Sequence, residues 1–133
     1  MATNNWDARI KLLYPADDGT KFTADTVKLD DSFDVIANVE VGQNLMQFAD
    51  GDELSVSVLN VSQSTVVASA NAPRTLAAVD KQLDEDLKVD IVSGWGSKAK
   101  AGDLLEVVAT YRLDAGIHTD YSHATSSRFI VTA

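Results

Sequence analysis

Three groups of residues in this 133-residue chain have side chains suited to chemistry: clustered carboxylates, two histidines and a tryptophan flanked by glycines. The carboxylates fall in Asp17-Asp18, Asp30-Asp31, Asp50-Asp52-Glu53, Asp84-Glu85-Asp86 and the pair Asp114 and Asp120. Calcium takes about six to eight oxygens gathered by loop backbone, and loops converging at one end of a domain would bring Asp50, Asp52 and Asp103 to one ion. The spacing does not match an EF-hand loop, and Asp beside Gly ahead of a strand has sufficient cause in turn chemistry. Solvated turn carboxylates are therefore the favoured reading, and no cofactor is expected, with calcium the alternative. His118 and His123 are five apart around Asp120 and Tyr121, an odd separation that places them on opposite faces of a strand. A zinc site would need a full tetrahedron of ligands, and no clear fourth is at hand. An exposed polar hairpin over 117–127 is the plainer account.

Nucleophilic catalysis has little to work with. Ser122, Ser126 and Ser127 lie near His123, but nearness in sequence is not a triad, and no Gly-x-Ser-x-Gly elbow is present. Gly94-Trp95-Gly96-Ser97 lacks the spacing of a phosphate-binding loop. No carboxylate pair stands out for glycoside cleavage, and the chain is expected not to be an enzyme. Binding has more support. A loop tryptophan such as Trp95 either meets a partner, a sugar ring or a protein, or folds back over the end of the domain. The loop 44–48 is also apolar, so Trp95, Leu45, Met46 and Phe48 form the expected contact surface. Trp6 alternates with polar neighbours and is expected in the core. Asn60-Val61-Ser62 is read as a strand end.

Charge narrows the partners. Eleven basic against twenty acidic residues give a formal −9. Such a domain repels phosphate backbones and anionic lipid surfaces, so neither nucleic acid nor membrane insertion is expected. No cysteine is available for disulfides, thiolate metal sites or catalysis. The opening residues show no basic-then-apolar signal peptide, which points to a soluble chain, cytoplasmic on synthesis or part of an assembled particle.

The elements that must position these residues are strands. Apolar residues alternate with polar ones over Trp6–Tyr14, Phe33–Val41, Leu54–Val58, Leu87–Ile91 and Leu105–Leu113. Weaker strands are expected over Phe22–Leu29, Thr65–Ala70, Tyr121–Thr125 and Arg128–Thr132. Leu76, Val79 and Leu83 after Pro73 have the spacing of a short crossover helix near 75–83, with a strand as the alternative. The expected fold is all-β: one domain over 1–133, a two-sheet antiparallel sandwich of about eight strands. This plan resembles immunoglobulin-like or jelly-roll-like sandwiches in architecture only. The cysteine pair of antibody domains is absent, and Tyr111 sits too late in its strand for a tyrosine corner.

An internal repeat is also visible. Leu29–Val35 matches Leu83–Val89, and Gly51–Val58 matches Gly102–Ala109, in keeping with duplicated units over about 22–71 and 76–133. Together these features favour a structural or protein-interaction module that self-associates or decorates a larger assembly such as a virion or surface layer. The alternative is a carbohydrate-binding module or lectin, calcium-assisted, built around Trp95.

Overall fold

In a computed structural model that describes residues 5–133, the chain is all-β, with nine strands in two sheets. The strands are β1 (Ala8–Asp17), β2 (Thr26–Lys28), β3 (Phe33–Val41), β4 (Gly51–Asn60), β5 (Thr65–Thr75), β6 (Leu83–Ile91), β7 (Leu104–Ala115), β8 (His118–Thr125) and β9 (Phe129–Thr132). One sheet runs β1-β3-β6; the other runs β2-β9-β7-β4-β5, with β8 also paired to β7. All pairings are antiparallel except β2 with β9. β8 and β9 lie on the same side of β7, separated by a kink at Ser126. Its Oγ accepts from Val107 N at 2.9 Å and donates to Ser127 O at 2.8 Å.

The period-2 pattern does what it predicts. Phe33, Val35, Ala37, Val39 and Val41 from β3 meet Leu54, Val56 and Val58 from β4 and Leu105, Val107, Tyr111 and Leu113 from β7 in one buried cluster. Each aliphatic side chain so buried contributes roughly 1.5–3 kcal/mol. The repeated segments are direct neighbours: Val35 pairs with Val89 in one sheet, and Ser57 with Val108 in the other. In an antiparallel ladder only these central residues face their repeat equivalents; Phe33 pairs with Ile91 and Gly51 with Asp114.

Three local expectations need correction. The 76–82 crossover is neither helix nor strand. Leu76 N donates to Asp50 O and Val79 N to Met46 O, so its backbone bonds go to the neighbouring loop instead of to its own turns. The helical turns are elsewhere: α1 (Gln43–Met46) and a 3-10 turn at Gly96–Lys98. Trp6 is 54% exposed and stacks on Phe48 at 6.2 Å instead of entering the core. The outer face of β3 is also less wet than alternation implies. Asp34, Ile36 and Glu40 are buried there. The 17–24 hairpin folds back over this face, with Tyr14 OH donating to Lys21 O and Gly19 N to Asp34.

Candidate functional site

The two ends of the sandwich separate the residues expected to act together. Trp95 follows β6 and packs edge-on against Phe33 at 5.9 Å, while Leu45 and Met46 sit in α1, just past Val41. Phe33 and Val41 bound the same strand, so the two groups are roughly 25 Å apart along β3. Trp95, Leu45 and Met46 are all buried, and the Trp95 indole N–H donates to Asp31 O at 2.9 Å. Trp95 therefore folds back over the core. Of the four residues expected on a contact surface, only Phe48 is exposed.

The carboxylates expected to hold calcium are likewise divided and already engaged. Asp50 accepts from Gly116 N at 2.7 Å. Asp52 is gripped by Arg74 Nε at 2.7 Å and Nη2 at 2.9 Å, and receives the Tyr111 hydroxyl at 2.5 Å. Asp103 lies at the far end of β4, roughly 25 Å from Asp52. There it accepts from Asn60 at 2.8 Å, Gln63 at 2.7 Å and Lys100 N at 3.0 Å. Asn60 above all, with Lys100 N and Gln63, holds the Asp103 carboxyl below its ordinary pKa. These three residues do not form one cation site. His118 and His123 register against Ala115 and Thr110 and occupy opposite faces of β8, as their odd spacing requires.

Two arrangements escape a reading of the sequence by clusters. Asp52, Arg74 and Tyr111 form a buried polar knot that also reaches the opposite sheet, where Arg74 pairs with Glu85. Burial, then the bond to Asp52, pushes the Tyr111 hydroxyl far above its ordinary pKa, while Asp52 raises that of Arg74. Neither ionises differently at neutral pH, so the knot is a clasp between sheets. The second arrangement is Asp18, Asp34 and Asp90, with oxygens within 4.8 Å of one another on the outer face of the three-stranded sheet. Asp34 Oδ2 already accepts from Gly19 N at 2.9 Å and lies 3.8 Å from Lys88 Nζ. Desolvation and then the Asp18 and Asp34 charges raise the Asp90 pKa.

The feature of the backbone that remains available is an edge. On one side, β1 seals the gap between the sheets: Ala8 N donates to Asp120 at 2.7 Å and Ile10 N to Ser122 at 3.0 Å, both on β8. On the other side, β5 and β6 approach without a strand-to-strand ladder, and among the described residues β5 is paired to β4 alone. The inward residues Ala68, Ala70, Ala72, Leu83 and Leu87 are only partly buried along this side. From Thr65 to Pro73, β5 carries no ionisable side chain, whereas β6 carries Asp84, Glu85, Asp86, Lys88 and Asp90. Comparison with protein-family models and with curated proteins returns no match for the chain. Among the described residues, no helix is long and apolar enough to cross a membrane.

Proposed function

We propose that this chain is a non-enzymatic structural or interaction module that assembles with copies of itself or into a larger surface, through its open sandwich side. The observation carrying this reading is the β5 edge: an eleven-residue strand with one bonded neighbour among the described residues, in a molecule whose other long side is sealed by β1. An unpaired strand edge presents a row of donors and acceptors ready to pair with another chain. Natural edges are commonly blunted by charge, as β6 is, and most of β5 lacks that protection.

Glycan binding is the weaker reading. Its stacking residue, Trp95, is buried, with its ring against Phe33 and its N–H on Asp31, and offers no exposed face to a sugar. The test is mass in solution by sedimentation or light scattering across a concentration series. Growth beyond the 14.3 kDa monomer is the expected result. A strict monomer that captures no protein partner refutes the proposal.

A further inference from the structure

We infer that the partner strand is the β5 of a second copy, paired antiparallel about a twofold axis at Ser69 so that two six-stranded sheets become one. This inference rests on the self-association reading above and specifies its interface.

Backbone direction comes first. Leu76 N bonds to Asp50 O on the β4 side, so by alternation Arg74, Ala72 and Ala70 face β4. Ser69, Asn71 and Pro73 then point their backbone groups away from it. Pro73 fits this parity, because proline has no N–H and sits in a sheet only where none is needed. It also ends the run that can pair. Val67, left without a partner where the β4 register shifts between Val58 and Leu59, is the last position at the other end. The backbone groups that remain turned away from β4 are those of Val67, Ser69 and Asn71, centred on Ser69. A twofold there sets Ser69 opposite its copy and Asn71 opposite Val67, which exchanges N–H and C=O groups symmetrically.

Charge selects the same edge. Two molecules of −9 repel, and they approach at lowest cost where neither carries charge. Pairing β6 with its own copy would align acidic strands, and like charges directly opposite destabilise a sheet. β2 offers only three residues, and the first part of β1 is occupied by β8 side chains. The two sides of the sandwich differ in the same sense: β1 bonds to β8 side chains, whereas among the described residues β5 meets β6 without a ladder.

The test combines amide hydrogen exchange with dimer dissociation constants. In the wild type, the Ser69 and Asn71 amides are expected to gain protection as concentration rises. Ser69→Pro removes an N–H that β4 does not use, and Ser69→Lys places two cations face to face on the solvent side. Each is expected to weaken the dimer by about tenfold or more, the loss of roughly 1.4 kcal/mol. Ser55→Lys, on the outer face of the neighbouring β4, should leave it unchanged, and all three variants should keep the wild-type dichroism spectrum. If Ser69→Pro unfolds, Ser69→Lys alone decides. A dimer insensitive to Ser69, or one whose new protection lies along β6, overturns the β5 assignment but leaves self-association standing. A monomer at every concentration, with freely exchanging Ser69 and Asn71 amides, overturns both.

Discussion

The Asp52 clasp shows how much one inward-facing carboxylate costs and returns. Its side chain is 1% exposed, a position tolerable only because Arg74 and Tyr111 satisfy it. Arg74→Ala leaves that charge unpaired and is expected to lower unfolding free energy by about 3 kcal/mol, read from urea denaturation. Tyr111→Phe removes one buried bond and should cost about 1–2 kcal/mol in the same assay. The Asp90 group works in the opposite direction. Its folded pKa is raised, so between the unfolded and folded values the native chain holds more protons and this group's contribution falls as pH rises. Asp90→Asn is expected to raise the thermal midpoint at pH 7 and to have little effect well below the ordinary carboxylate range. An unchanged or lower midpoint at pH 7 contradicts the crowding of Asp18, Asp34 and Asp90. Asp86, whose pKa is lowered by Asn38 and Lys21, contributes the reverse, a stability lost as pH falls. The clasp was legible in the sequence by parity, since Asp52 shares the alternate register of Leu54 and Val56. Reading Asp52 as a turn residue hid it. Asp18, Asp34 and Asp90 join across segments far apart in sequence, which no local spacing reveals.

At the scale of elements, alternation located the long strands because one face of each is buried. Phe33–Val41 is read to the residue, and Leu105–Leu113 falls short of β7 by a residue or two at each end. The loops resisted because their hydrogen bonds are tertiary. Leu76–Gln82 has helical spacing, yet its N–H groups bond to Asp50 and Met46. The glycines flanking Trp95 leave two readings open, a partner contact or a fold back over the end of the domain. In the fold, Asp30 Oδ1 accepts from both Gly94 N and Gly96 N and draws the indole onto Phe33. An added Cβ at Gly96 would lie 2.7 Å from the Asp30 Cβ, so a glycine is needed there. Trp95→Ala should therefore cost about 3–5 kcal/mol, whereas Phe48→Ser should cost under about 1 kcal/mol. Equal losses, by denaturant titration of both variants, would contradict the burial difference between the two loops.

For the whole molecule, charge and hydrogen bonding pull self-association in opposite directions. Like-charge repulsion between acidic copies is screened by salt, with a Debye length near 10 Å at about 0.1 M. Backbone pairing at an uncharged edge is not weakened in the same way. Added sodium chloride is therefore expected to tighten the dimer several-fold between about 0.02 and 0.3 M. Sedimentation at both concentrations checks this, and a dimer that loosens with salt points instead to ion pairs across the interface.

The contacts of β1 and β2 also bear on how the chain acquires its shape. Ala8 and Ile10 bond to residues 112 positions away, and Thr26–Lys28 is paired to β9. β1 can pair with nearby β3 early, but its bonds to β8 and the pairing of β2 with β9 wait until a loop of most of the described chain has closed, a step whose entropy is spent before those contacts repay it. Maturation of this domain should accordingly be slow, and a protease nick between Thr125 and Phe129 should loosen β2 as well as β9.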